Sequence, residues 1–348
     1  MSLTVELTSE PPIFSASMGE AELLWKKELA NATTSVMSLL ARLGLEQHKA
    51  KIDLQPNFRC LVTESYIKKM EAGNINDPLL RQVLPFNEET EFQTQLLGVD
   101  DPVGDLEALA SQGLIHKYHG RALLITTGAC AIHCRYCFRR SYPYQQASCT
   151  LNALNHVLDY LNEHTHIEEI ILSGGDPLIL DNDKLGRLIS ALESVKNLQT
   201  IRFHTRIPVV LPNRINAGLL HLLKSSRFQT VMVMHANHAN ELDHAVFTKL
   251  HQLDEAGITL LNQSVLLHGI NDNADTLVAL NRRLFQCRTL PYYLHLLDPV
   301  KGAMHFDTCK QTAISLKRQM EEQLPGYLVP RLVQEIAGNK AKTAIFRI

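Results

Sequence analysis

From Arg121 onward, short apolar or β-branched runs alternate with longer stretches of helical period. The strand-like runs are Ala122–Thr126, Glu169–Ser173, Thr200–His204, Thr230–His235, Thr259–Val265 and Tyr292–Leu297. Between them, residues 151–163, 182–195, 213–225, 240–256 and 274–286, with a last stretch at 309–322, read as amphipathic helices. Six β/α units in series predict a parallel sheet with helical crossovers. Six rather than eight predicts an open, partial barrel. Up to about Gly120 the texture is different, helical and irregular, with no repeating strand signal. Glu20–Leu43 carries the helical period, Glu64–Ala72 predicts a second helix, and the segment from Asn76 to Pro85 reads as a Pro-bounded turn and short helix. The expected organisation is α/β: a mostly helical N-terminal region over 1–115, a barrel core over 116–339 and a short tail over 340–348.

Composition narrows the class. At 348 residues, 45% hydrophobic and 20% charged, the chain can bury a large core and is not disordered. A formal net charge of −2 gives no electrostatic case for binding nucleic acid or an anionic membrane. The first residues have neither a basic start nor a long apolar run, so they read as neither signal peptide nor membrane span. Seven cysteines without a pairing pattern suit a reducing compartment, and the expected location is the cytoplasm.

The chemistry concentrates at Cys130, Cys134 and Cys137, on the loop expected after the first barrel strand. That spacing suits three thiolates round one cuboidal 4Fe–4S cluster, which normally takes one thiolate per iron, leaving one iron open to a non-protein ligand. Zinc in a structural site wants four ligands, and no fourth cysteine or histidine pair follows at finger spacing. Cys60, Cys149, Cys287 and Cys309 are scattered and read as ordinary thiols. Ser173-Gly174-Gly175-Asp176-Pro177 follows the second strand, where glycines let backbone approach a ligand and expose amides to it. His204 to Arg206, His235 and Asn262 to Ser264 lie at or near other strand ends. His235, His238 and His244 do not have the spacing of a helical metal pair, so His235 alone is a candidate contact.

The cysteine loop, ending in Phe138-Arg139-Arg140, together with the Gly-Gly turn resembles the radical S-adenosylmethionine (SAM) superfamily. The ordered series is more specific. Asn76-Asp-Pro, Asp101-Pro-Val, Lys117-Tyr-His-Gly-Arg121, His204-Thr-Arg-Ile-Pro, His235-Ala-Asn-His238, Asn262-Gln-Ser, Pro291-Tyr-Tyr293, Asp298 with Gly302 and His305-Phe306, and the tail from Pro330 to Thr343 are similar to the lysine 2,3-aminomutase family. Within it, the nearest resemblance is to the branch that serves elongation factor P.

That resemblance implies a partial (β/α)6 radical SAM barrel with a C-terminal tail that binds pyridoxal 5′-phosphate (PLP). It implies an isomerase that moves the α-amino group of free L-lysine to the β-carbon, giving (R)-β-lysine, with a 4Fe–4S cluster, SAM and PLP as cofactors and an external one-electron reductant. Lys342, seven residues after Glu335 and followed by Thr343, matches the Schiff-base lysine, ahead of Lys340. Lys117, Tyr118, Arg121 and Gln263 match PLP or cofactor contacts. Ser173, Gly174, Gly175, Asp176 and His235 match positions about SAM. Arg139 matches the ligand of the substrate carboxylate, for which a planar guanidinium is suited, and Asp298 and Glu335 match the acids that hold the ε-ammonium.

The branch implies that the product passes to a lysyl-tRNA-synthetase-like ligase for β-lysylation of the factor. A homo-oligomer is expected, with no direct nucleic-acid or membrane partner. Unlike the clostridial type, the chain stops soon after Lys342, and Gly269–Asp275 has no matching cysteine, so no structural zinc is expected. The alternatives are a lysine 2,3-aminomutase of amino-acid metabolism, a PLP-independent radical SAM enzyme, and a non-catalytic iron–sulfur module.

Overall fold

The computed structural model describes residues 14–149 and 151–346. Ten strands join in chain order into one sheet: β1 (Leu109–Ser111), β2 (Leu114–Tyr118), β3 (Arg121–Thr127), β4 (Glu169–Gly174), β5 (Thr200–Thr205), β6 (Gln229–Met234), β7 (Thr259–Val265), β8 (Leu290–His295), β9 (Arg331–Gln334) and β10 (Thr343–Ala344). β3 to β9 run parallel, and antiparallel pairings add β1 and β2 at one edge and β10 at the other. Among the described residues no ladder joins β1 to β10, so the barrel stays open.

The parallel strands bury one face under the covering helices and turn the other to the barrel interior, where alternate positions of β5 and β7, such as Arg202, His204 and Gln263, line the cavity. β4 is buried everywhere after its first residue, and its Leu172, paired with Phe203 of β5, is fully buried. Four of the covering helices, Asn182–Glu193, Ala217–Ser225, His244–Glu255 and Ala274–Gln286, start at a capping Asp181, Asn216, Asp243 or Asn273. Each cap accepts an otherwise unpaired backbone amide of the first turn. Their apolar stripes, such as Leu277, Leu280 and Leu284, are buried.

Several elements depart from the pattern read along the chain. The period over Glu20–Leu43 is two helices, Phe14–Ala30 and Val36–Leu43, because Ser35 caps the second and Thr33 bridges to Val62 between them. The second predicted helix stops after Glu64–Ile67. β1 and β2 occupy chain that reads as helical or irregular. The sixth predicted strand is Leu290–His295, two residues earlier than its apolar run suggests. A seventh parallel strand, β9, is only Arg-Leu-Val-Gln, too short to give a period of its own. Among the described residues, no helix is long and apolar enough to cross a membrane.

Candidate active site

β3 ends at Thr127, and the cysteine loop follows at the C-terminal edge of the sheet. The glycine-rich turn after β4 seats that loop. Gly175 N–H donates to Thr127 O at 2.7 Å and Asp176 N–H to Ala129 O at 2.8 Å. A Cβ on Gly174 would lie 2.4 Å from Thr127 O, and one on Gly175 would lie 2.2 Å from Ala129 O. Gly174 also has φ +125°, which side chains rarely adopt. These amides, expected to face a ligand, thus face the neighbouring loop. The Gly174 carbonyl is taken by the Tyr144 hydroxyl at 3.0 Å. Asp176 is also engaged inside the chain, accepting from Thr205 Oγ1, the Arg206 amide and the Leu178 amide. Burial outweighs these bonds and pushes its carboxyl up to about 6.

The N-terminal region clamps the other side of the loop. His133 N–H donates to Leu61 O, its Nδ1 lies 2.8 Å from Arg59 O, and its ring stacks on Phe58 at 5.1 Å. Arg135 pairs through two nitrogens with Glu89 and donates to Phe58 O at 2.6 Å. The loop is held by buried charge and backbone bonds on both flanks.

All three loop thiols line one cavity of about 420 Å³. Burial raises the Cys130 thiol well above its ordinary range, with Cys137 and Cys134 adding to the effect, and pushes Cys137 up to about 11. Crowded, half-buried thiols suit a cationic metal centre, since bound metal deprotonates a thiol. Among the described residues no three His, Cys, Asp or Glu side chains meet at a single-ion position. A cuboidal cluster takes each thiolate on a different iron, so its ligands surround a volume and need not converge on a point. The donor set fits a 4Fe–4S cluster.

The residues given cluster, cofactor or substrate roles all line this same cavity: Cys130, Cys134, Cys137, Lys117, Tyr118, Arg121, Arg139, Ser173, Gly174, Gly175, Asp176, His235, Gln263, Asp298, Glu335 and Lys342. Lys340 is exposed. The placement of Lys342 follows from strand register. β10 pairs antiparallel with β9 with Thr343 opposite Gln334, so one step further Lys342 lies opposite Glu335. Gly338, at φ +81°, is in the connecting turn. Lys342 Nζ pairs with Glu335 Oε2 and lies 6.0 Å from the centre of the Tyr293 ring.

Around this pair runs an ion network. Lys117 Nζ donates to Val103 O at 2.7 Å and contacts Asp105 at 2.5 Å and Glu335 at 3.3 Å. Those acceptors match its three ammonium hydrogens. Asp105 also holds Arg139 Nε at 2.7 Å, and Arg139 Nη1 donates to Ser173 Oγ at 3.1 Å. Burial works to raise the Glu335 carboxyl, yet Lys342 and Lys117 hold it below the usual range. Asp298 is the opposite case. Its Oδ1 is buried with no hydrogen-bond partner, and burial, reinforced by the charge on Glu335, pushes its carboxyl up to about 7.

Arg121 lies over the Tyr118 ring at 4.7 Å, giving a cation and an aromatic ring on one wall. His235 Nε2 bonds the Tyr136 hydroxyl at 2.9 Å, and burial lowers its imidazole to about 3. Asp105 and His295 are site residues missed in the sequence. Asp105 sits in a turn made by Asp101, whose carboxylate accepts the amides of Asp105 and Leu106, so it reads as turn chemistry. His295, at the end of β8, is buried with Nε2 unpartnered and is held neutral by burial and by Lys342. Its alternation with Tyr293 along β8 was the available signal.

Residues 124–279 match the Radical SAM superfamily. With three thiols at the mouth of an open parallel barrel, this chain is a radical SAM enzyme. It is 42% identical over 325 residues to an L-lysine 2,3-aminomutase of Haemophilus influenzae, spanning 92% of this chain and 94% of that protein. It is 40% identical over 324 residues to an L-lysine 2,3-aminomutase of Escherichia coli K12, again over 92% and 94%. The chain therefore belongs to the L-lysine 2,3-aminomutase family, isomerases that use a 4Fe–4S cluster, SAM and PLP. A looser likeness, with TM-score 0.47 at 15% identity over 64% of this chain and 68% of the other, is to a radical SAM methyltransferase from Sphaerobacter thermophilus.

Proposed function

We propose that the protein converts free L-α-lysine to (R)-β-lysine in the cytoplasm and that the product is used for β-lysylation of elongation factor P. The observation that carries the substrate reading is the orphaned carboxylate of Asp298. Glu335 already faces Lys342 and Lys117, whereas Asp298 Oδ1 is buried without a partner in the same cavity. A buried polar atom left unpaired is costly, and a cationic side chain on the substrate would satisfy it. The branch reading is supported by resemblance and by the absence of cysteine in Gly269–Asp275.

When bound, the cluster and SAM supply one-electron hydrogen abstraction, and PLP supplies the conjugated system across which the amino group migrates. Cys130, Cys134 and Cys137 would hold the cluster, the Ser173–Asp176 turn and His235 would border SAM, and Lys342, Tyr118, Arg121 and Gln263 would border PLP. The remaining work belongs to the protein. Arg139, fixed by Asp105 and Ser173, presents a pre-oriented guanidinium to a carboxylate. Asp298 takes the far ammonium, so the substrate is held at both ends with its carbon chain across the cavity. Burial of the walls excludes water from the reacting carbons.

The direct test is anaerobic incubation of reconstituted protein with L-lysine, SAM and a one-electron reductant, followed by chiral amino-acid analysis. (R)-β-lysine is expected, and none with L-glutamate in its place. No rearrangement of lysine would remove it as substrate, and equal rearrangement of both would remove the preference for a cationic side chain. Supplying the product to the ligase and elongation factor P tests the branch; preference of the ligase for L-α-lysine would leave the enzyme in amino-acid metabolism.

Asp298→Asn is expected to raise the KM for lysine about tenfold, the difference between a charge-assisted and a neutral hydrogen bond, with PLP content unchanged. The charged form is the one that binds an ammonium, and burial pushes the free carboxyl up to about 7. Lysine affinity of the parent should therefore fall as pH drops below 7 and level off about tenfold lower, where the protonated carboxyl is as neutral as the Asn side chain. The Asn variant should lack that dependence. An affinity flat from pH 5 to 8 in the parent would take Asp298 out of the substrate site.

A further inference from the structure

Arg206 follows β5, and none of the roles above uses its side chain. It is buried, and it reaches from the barrel to the cysteine loop and the N-terminal region at once. Nη1 donates to Cys134 Sγ at 2.7 Å, while Nη2 donates to Glu241 Oε2 at 2.8 Å, Gln82 Oε1 at 2.6 Å and the Tyr66 hydroxyl at 3.0 Å. Glu241 is itself fixed by the amides of Asn237 and His238 and by Gln82 Nε2. The guanidinium cannot swing off the sulfur without breaking several buried bonds.

We propose that Arg206 is a positioning residue that sets the reduction potential of the cluster through its charged hydrogen bond to Cys134, with Glu241 as the counter-charge that limits its effect. This rests on the reading of Cys130, Cys134 and Cys137 as the cluster ligands. An N–H donor and a positive charge on a ligating sulfur stabilise the reduced, more negative cluster, so they raise its potential. Glu241 returns negative charge to the same spot and lowers it. The site therefore contains two opposed charges, one touching the ligand and one behind it. The three-way contact with Tyr66 and Gln82 makes the N-terminal region part of the cluster environment, since both residues fix the direction of the fork. Such a tether also keeps Cys134 in place while its two neighbours in the loop are held elsewhere.

The test is a redox titration of reconstituted protein followed by electron paramagnetic resonance of the reduced cluster, without SAM or lysine. Arg206→Met should lower the midpoint potential by at least a tenfold change in the reduction equilibrium, about 59 mV for one electron. Glu241→Gln keeps the bond to sulfur and removes the opposing charge, so its potential should rise. Shifts of opposite sign are not what a general loosening of structure would give. Potentials that both stay within that tenfold window, or that both fall, overturn the proposal. If Arg206→Met assembles no cluster, Glu241→Gln decides alone, and a potential at or below the parent overturns it. Absence of a cluster in the parent would instead sink the reading of the three cysteines.

Discussion

Replacing Lys342 by alanine should abolish covalent capture of PLP while leaving iron and sulfide content at the parental level. The argument is geometric. Antiparallel pairing of β9 with β10 sets Lys342 across from Glu335, at the cavity wall beside Tyr293. Lys340, two residues earlier, is exposed and has no place in that wall. Borohydride treatment and peptide mapping of the parent should find the pyridoxyl group on Lys342. The Lys342→Ala variant should show no label and lose activity by at least about 10²–10⁴-fold, the range for a positioned catalytic side chain. Lys340→Ala should keep both. Lys117 is the instructive competitor, because it shares Glu335 with Lys342. A label on Lys117 or Lys340 would mean that the cofactor is anchored elsewhere.

Alternation of apolar runs and helices reports the barrel well, because each parallel strand buries the face under its helices and each covering helix shows one stripe. The elements that complete the site at the sheet edges are harder to read. β9 and β10 together hold few residues, and their pairing is set by a turn at Gly338 and not by a period. The spacing of Glu335 and Lys342 has meaning only once that hairpin is known. The cysteine loop is legible because three thiols at fixed short spacing have few other uses, whereas Asp105 is a lone acid in a turn and gives no signal. The Gly-Gly turn was legible as a close approach of backbone, but its partner, the neighbouring loop, was not. Arg206 could be seen at a strand end, yet the sulfur it touches lies 72 residues away in the chain.

The largest effect expected on cofactor content comes from the loop itself. Cys130→Ala, Cys134→Ala and Cys137→Ala should each reduce bound iron and sulfide nearly to background. A cuboidal cluster with one iron already open to a non-protein ligand would be left with two protein thiolates. All three thiols line the cavity, close enough that Cys134 opposes the ionisation of both Cys130 and Cys137. The remaining cysteines have different surroundings. Cys60 and Cys287 are buried in the apolar core, Cys309 is exposed, and Cys149 packs at the edge of the sheet where its amide bonds Ile125 O. Alanine at any of these four should leave iron content unchanged. The loop is anchored independently of its sulfurs, by Gly175 and Asp176 on one side and by Leu61, Arg59 and Glu89 on the other. Its fold should therefore survive each substitution, and circular dichroism of the three loop variants should match the parent. Full iron in any loop variant would show that its thiol is not a ligand; lost iron in Cys60→Ala, with the fold intact, would bring a fourth thiol into the centre and end the three-cysteine assignment.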